Sequence, residues 1–440
     1  MLSLRVQPIK KASYYYDKEN YYFSNQLTTQ WVGLSAEKQN LCGEVDVHTL
    51  EQVVGGVLPS GEVMGFQTQQ GEIWHRGGYD LTFSAPKSVS YLGLVAGHKE
   101  FVDLHLNAVK TVLKVIEKEA AEARKSGKSG VAYEKTGNLC FATILHDTSR
   151  ELDPQLHVHA LLMNFTQRLD GKWRALASDL SRNHGTMEWI MNNQILLGLI
   201  YRSEIALGLK EMGLEIESTG DAHGLFEIKY FDENLLKCFS KRRAQVEEQA
   251  KTMHSNSRKA YDRATLDSRK QKTVVDPDEL LAQWVKESND LGINPSTYCS
   301  ELKEKTAQNA LLKSSLSTDQ KSNRPVMMGI AHLEEKKLSF TYHELLQASL
   351  YFSLGEQGFD VLMHQMEQAL QQKQLVALDA EDTRFTTPDL INKERELIAK
   401  INQFPAQKNA IRCSVDKGDD NEHIQKIVSQ ALSSKDSLIR

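Results

Sequence analysis

Three histidines, His146, His157 and His159, carry the most readable chemistry in this chain, because a single residue, Val158, separates the last two. In an extended strand, residues i and i+2 share a face, so both imidazoles project together. His146 closes the preceding strand-like run, and a hairpin through residues 137–165 would gather all three rings. Three neutral imidazoles around one point, with no fourth protein ligand evident nearby, suit a catalytic metal that keeps coordination positions open. The same spacing also suits partly buried structural histidines.

A second group lies near the N-terminus. Tyr14, Tyr15, Tyr16, Tyr21 and Tyr22 fall within one short block, and on a helix the seven-residue step from Tyr14 and Tyr15 to Tyr21 and Tyr22 keeps both pairs on one face. An aromatic core stripe would look the same, but Lys10, Lys11 and Lys18 interleave with the rings, as suits phosphate contact and base stacking. Asp80 interrupts an otherwise apolar strand beginning. It reads either as a turn aspartate or as the carboxylate that fixes the tautomer of a metal-ligating histidine. The chain has no H-E-x-x-H, which removes a zincin protease, and no H-x-E with P-C-x-x-C, which removes a nucleic-acid deaminase. A tyrosine phenol attacking a phosphodiester beside a Lewis-acid metal fits both groups.

The elements that must position these residues follow from periodicity. Residues 2–6 alternate as a short strand. Residues 45–54 are mostly helical, and 79–84 form a strand entering a helix, with Ser84 as N-cap and Pro86 near the helix start. Apolar residues at Val102, Leu106, Val109, Leu113 and Ile116 predict a helix over 98–123 covering one face of a sheet. Gly127-Lys128-Ser129 is not a phosphate loop, since Glu122 stands where the first glycine is required; it reads as a loop after the helix. A turn at 168–172 leads to a returning strand at 173–176, a long helix spans 187–212, and a hairpin joins 214–217 to 225–228. Without βαβ regularity, the expected class is α+β with an antiparallel sheet. Residues 231–302 are predominantly helical, 306–326 read as a linker, and a small module follows with helices at 342–352 and 358–372, a hairpin at 375–386 and a helix after Pro388. The tail beyond Phe404 is expected to be weakly ordered.

Composition sets the limits. The chain has 440 residues, 40% hydrophobic and 25% charged, enough for two or three globular domains. It lacks a leader-like apolar start and any membrane-length run, so a soluble cytoplasmic protein is expected. Cys42, Cys140, Cys238, Cys299 and Cys413 are scattered and form no C-x-x-C pair, as expected of reduced thiols. The formal charge of −5 gives no global attraction to nucleic acid. Residues 241–272, however, hold ten Lys/Arg against four Asp/Glu, a local +6 that suits either a polyanion or a solvated face.

Three blocks, YYYDKENYY at 14–22, GYDLTFSAPKSVS at 78–90 and GNLCFATILHDTSRELDPQLHVHALLMN at 137–164, stand in collinear order within roughly the first 300 residues. Together they resemble the motifs of conjugative relaxases of the TraI/TrwC (MobF) type, members of the HUH endonuclease superfamily. The resemblance implies the HUH relaxase fold, an antiparallel five-stranded sheet with flanking helices and a helical C-terminal clamp at 231–305, within a relaxase domain over 1–305. It implies a site- and strand-specific nick at a plasmid origin of transfer through a 5′-phosphotyrosine. Tyr14 matches the attacking tyrosine, although Tyr16 makes a triplet of the usual doublet and leaves the choice between Tyr14 and Tyr15 open. Tyr15, Tyr21 and Tyr22 match the neighbouring tyrosines, His146, His157 and His159 the ligands of Mg²⁺ or Mn²⁺, and Asp80 the carboxylate that orients a ligand or activates the phenol. Gln194 and Arg202 fall where base-contacting side chains are placed, Arg150 is a weaker phosphate contact, and Lys241, Arg242 and Arg243 open the basic clamp. Expected partners are single-stranded origin DNA, accessory relaxosome proteins and a type IV secretion coupling protein, with the chain acting as a monomer that travels with the strand. Residues 327–404 look like the helical, wing-like segment that introduces the helicase region of long members, yet no Walker A loop follows and no ATPase is expected. The nearest alternative is a rolling-circle replication initiator of the same superfamily; from another class, a non-catalytic origin-binding protein.

Overall fold

The structure is a computed structural model that describes residues 4–9, 12–15, 28–71, 73–127, 130–219, 223–252, 276–313, 323–379 and 383–403. It divides into two compact units, Met1–Pro388 and Asp389–Arg440. The first is built on five strands: β1 Leu4–Pro8, β2 Thr29–Val32, β3 Gly78–Ser84, β4 Phe141–Thr148 and β5 Pro154–Met163. They form an antiparallel sheet in the order β1-β3-β5-β4-β2, as the α+β expectation required.

The period of two along β5 divides the sheet into two faces. Leu156, Val158, Ala160 and Leu162 join Leu81, Phe83 and Phe141 in the larger core, together with residues of α2 Lys87–Leu94, α3 Lys99–Ala120 and α5 Gln194–Glu211. Their neighbours Leu161 and Met163 belong to a smaller core with Ala142, Ile144, Trp31 and the helix residues Leu50 and Val53. His157 and His159 continue that second face.

Several boundaries differ from those expected. Ser84 ends β3, and Pro86 takes the N-cap position of α2. The helix over 98–123 stops at Ala120, because the next residues turn into a hairpin of Glu122–Gly127 with Gly130–Lys135. The single helix of 187–212 is broken at Asn193 into α4 Thr186–Asn192 and α5. The segment 173–176 contributes only Trp173–Arg174, paired with Thr166–Gln167 outside the main sheet. β2 escaped the reading of periodicity because its four residues carry no alternating run beyond Trp31.

The helical region after residue 231 includes α6 Lys241–Thr252 and α7 Pro277–Asp290. Within 306–326 both described ends are helical, belonging to Pro295–Lys313 and Arg324–Glu334. Beyond Arg324–Glu334 come a strand, two helices and two strands, with Phe340–Thr341 and Val376–Ala377 flanking Arg384–Thr386 in a three-stranded antiparallel sheet. This part shares the larger core: Trp189 meets His343 edge-on at 5.6 Å, and Ser203 Oγ on α5 donates to Gln357 O at 3.4 Å. Cys42, Cys140, Cys238 and Cys299 are free thiols; Cys413 lies outside the described residues. Among the described residues no helix is long and apolar enough to cross a membrane.

Candidate metal centre and nucleophile

The hairpin of β4 and β5 pairs His146 directly with His157 and Ile144 with His159. The register shifts between His146 and Thr148, a bulge of the kind that re-aims a side chain beside a site. The three rings stand 5.2 Å (His146 to His157), 4.8 Å (His146 to His159) and 5.3 Å (His157 to His159) apart between centroids. One ligand atom from each lies within 4.8 Å of the others.

Each ring also has an acceptor that decides which nitrogen carries the proton. His159 Nδ1 donates to Asp80 at 2.8 Å, His157 Nδ1 to Gln155 O at 3.0 Å, and His146 Nε2 to Tyr15 O at 3.0 Å. In a neutral imidazole the second nitrogen then presents a lone pair. Burial, followed by the nearby His159, pushes His157 down to about 3, so it stays neutral at ordinary pH. Three imidazoles with each ring oriented by its acceptor fit a divalent metal, and the donor set leaves further coordination positions for other ligands.

Asp80 is the hub of the second layer. It sits on β3, fully buried, opposite Gln7 of β1 and Leu161 of β5. It accepts hydrogen bonds from His159, from Tyr15 Oη at 3.2 Å, from Gln7 Nε2 at 3.1 Å and from Thr82 Oγ1 at 3.1 Å. Burial would raise its pKa, but His159, Gln7 and Thr82 together hold it below the usual carboxylate range. The carboxylate therefore stays ionised and points the His159 ring.

The tyrosine segment reaches this hub through the short helix α1, Ala12–Tyr15. Tyr15 is fully buried, edge-on to His159 at 5.3 Å, and its phenol lies on the Nδ1 side of that ring with Asp80. Tyr14 is half-buried and meets Tyr15 edge-on at 5.1 Å. Tyr16, Tyr21 and Tyr22 lie outside the described residues.

The expected DNA-contact residues divide. Arg150 is half-buried in the turn between β4 and β5, and Gln194 is half-buried at the first position of α5. Arg202 is only 1% exposed, and its guanidinium donates to the His223 carbonyl. Lys241 Nζ is held by Glu287 at 2.9 Å and lies 3.8 Å from Asp153. Arg242 is half-buried, and the Arg243 side chain is 69% exposed beside Glu247.

Other contributors went unread. Lys87 Nζ donates to Pro154 O at 2.9 Å, Ser90 Oγ accepts from Leu156 N at 3.1 Å, and Gln155 Nε2 donates to Ala85 O at 3.0 Å, so the block around Pro86 grips the start of β5. Glu227, from the hairpin after α5, accepts from Ser88 N at 2.8 Å and Ser88 Oγ at 2.6 Å, a cap supplied from far along the chain. Gln7 has a signal in hindsight: it alternates with Val6 in a strand. Nothing local, however, tells which strand it faces.

Comparison with known proteins points to one family. The sequence profile of the TrwC relaxase family matches residues 9–291. The chain is 34% identical over 398 residues to the multifunctional conjugation protein TraI of Escherichia coli, covering 88% of this chain and 22% of that protein. TraI of strain K12 is also 34% identical, over 379 residues. The chain thus spans about a fifth of the length of the curated relatives it matches. Among solved structures, the metal-bound conjugative relaxase TrwC in complex with oriT DNA is 34% identical, with a TM-score of 0.58 over 67% of this chain and all of that one. The copper-bound complex matches with a TM-score of 0.59 at 34% identity, covering 67% of this chain and 100% of that one. TrwC with a 27-mer DNA comprising the recognition hairpin and the cleavage site matches with 0.57 at 33% identity, with the same shares covered.

Proposed function

The chain belongs to the TrwC relaxase family, and from that premise we propose that it nicks one DNA strand at a plasmid origin of transfer and keeps the 5′ end as a phosphotyrosine, initiating conjugative transfer. The observation that carries this reading is the convergence of His146, His157 and His159 with Asp80 and the α1 tyrosines on one face of the sheet. A bound divalent cation, Mg²⁺ or Mn²⁺, would neutralise the non-bridging oxygens of the scissile phosphate. The protein's own groups supply the rest.

Tyr14 is the attacking phenol. Tyr15 is enclosed behind His159 with its hydroxyl on Asp80, whereas the neighbouring Tyr14 is only half-buried and can approach a phosphate. Its oxygen bonds to phosphorus, its proton passes to solvent or a nearby base, and the 3′ hydroxyl of the cut strand departs. The ester conserves the energy of the phosphodiester, so a second strand transfer can reverse it; Tyr21 and Tyr22 serve that step or contact DNA. Arg150, Gln194 and the basic start of α6, residues 241–243, line the path of the strand, under a clamp formed by residues 231–305. Accessory relaxosome proteins and a coupling protein are the partners of a monomer acting in the donor cytoplasm and translocated with the strand. Residues 327–404 serve as the module that would adjoin a helicase region.

The test is direct. A labelled oligonucleotide covering the transfer origin of the plasmid that encodes the chain is incubated with the protein and Mg²⁺, then resolved in denaturing detergent. A covalent adduct lost on chelation is expected. An adduct that forms equally well in excess EDTA would sink the metal role, and absence of any adduct the nickase itself.

A further inference from the structure

The turn between the two histidine strands is gripped by side chains that the reaction chemistry leaves unused. Residues 149–153 close on themselves: Ser149 N donates to Asp153 O at 2.9 Å, Leu152 N to Ser149 O at 3.0 Å, and Asp153 N to Ser149 Oγ at 3.1 Å. This closure places Leu152 in the left-handed region, at φ 59°, which is unfavourable for a residue with a Cβ. Such a conformation persists only where its surroundings hold it.

The hold comes from the helical region after residue 231. Trp284 on α7 is fully buried, and its indole Nε1 donates to Leu152 O at 2.8 Å. One residue on, the Asp153 carboxylate, 1% exposed, accepts from Arg242 N at 3.5 Å and lies 3.8 Å from Lys241 Nζ, both on α6. Arg150 stands inside the turn, and Pro154, where β5 begins, precedes His157 by three residues.

We propose that Trp284 is a positioning residue for strand cleavage. By holding the Leu152 carbonyl it keeps the turn in its left-handed form, and so ties the seating of the clamp to the placement of Arg150 and His157. Without that bond Leu152 relaxes to a negative φ, the turn opens, and the entry to β5 shifts. The inference rests on the nickase reading given above.

The full chain is assayed in single turnover on the origin oligonucleotide with Mn²⁺, alongside its Mn²⁺ affinity by electron spin resonance. Trp284→Phe keeps an aromatic ring, though a smaller one, and removes the donor; the cleavage rate is expected to fall about tenfold. Adding Leu152→Gly is expected to restore most of it, since glycine takes a positive φ without strain. A packing role alone gives no such rescue. A Trp284→Phe rate within about twofold of wild type, or a loss that Leu152→Gly leaves unrepaired, overturns the proposal. If Trp284→Phe does not fold, 3-benzothienylalanine at position 284, which exchanges the indole N–H for sulfur at nearly the same volume, takes its place, with the same slowing and the same rescue expected and an unchanged rate overturning the proposal. If the wild-type chain forms no adduct, the nickase reading fails by itself, and Mn²⁺ affinity decides: lowered by Trp284→Phe and restored by Leu152→Gly, or unchanged and the proposal lost.

Discussion

Tyr15 and Asp80, 65 residues apart in sequence, meet at 3.2 Å, phenol to carboxylate, and the same carboxylate holds Nδ1 of His159 at 2.8 Å. One buried acid thus joins the tyrosine segment to the histidine strands. On the proposed nicking chemistry it would give the two tyrosines different tasks, because a phenol held on Asp80 behind His159 is badly placed to attack on the other side of that ring.

That separation predicts distinct phenotypes. Tyr14→Phe should form no covalent adduct on the origin oligonucleotide, while Tyr15→Phe should still form it, slowed about tenfold through a looser Asp80. Detergent-resistant adduct counted over time checks both. The opposite pattern would exchange the two roles.

Asp80→Asn keeps the shape and removes the charge. Loss of a carboxylate behind a ligand histidine lowers metal affinity by about 10–100-fold in comparable sites. Titration calorimetry with Mn²⁺ on the purified variant should show a drop of that order, with the far-UV circular dichroism of the wild type retained. Equal affinity would detach Asp80 from the metal centre.

Much of this was legible beforehand, and the rest was hidden for identifiable reasons. The strands of His146 and of His157 with His159 announce themselves by alternation, and Asp80 by being charged in an apolar run. Gln7, Trp284 and Glu227 do not, because their partners lie 73, 132 and about 140 residues away and no local pattern encodes such pairings. Arg202 is the converse case: a charged residue on a helix looks exposed in sequence, yet it is buried and donates to the His223 carbonyl.

Burial pushes Lys87 down to about 8 from 10.5, against the pull of Asp153 and Glu227. The unfolded chain then binds more protons between those values, so the stability linked to this group is fully present above 10.5 and is lost as pH falls through about 8. Lys87→Met should flatten that part of the pH–stability curve, and near neutrality it also forfeits the bond to Pro154 O, worth about 1 kcal/mol. Urea melts of both proteins across the window measure the difference; parallel curves would rule the effect out.

The basic start of α6 divides in the same way as the tyrosines. Arg243 is mostly exposed, so Arg243→Ala should weaken oligonucleotide binding and reduce the salt slope by about 1. Lys241 is anchored by Glu287 and Asp153, so Lys241→Ala should lower the melting temperature more than it changes that slope. Fluorescence anisotropy over a salt series, paired with thermal melts, distinguishes them. A salt slope unchanged by Arg243→Ala would place the strand elsewhere.

The alternation along β5 has a consequence for genetics. A saturation screen that scores soluble yield and transfer frequency separately should return a two-residue beat. Polar changes at Val158 or Ala160 open the larger core and remove the protein from the cell, whereas changes at His157 or His159 leave a well-expressed, inert product. Leu161 and Met163, on the histidine side but inside the smaller core, should rejoin the first class. The strand would thus carry two mutational spectra, interleaved at first and merging once the histidines end.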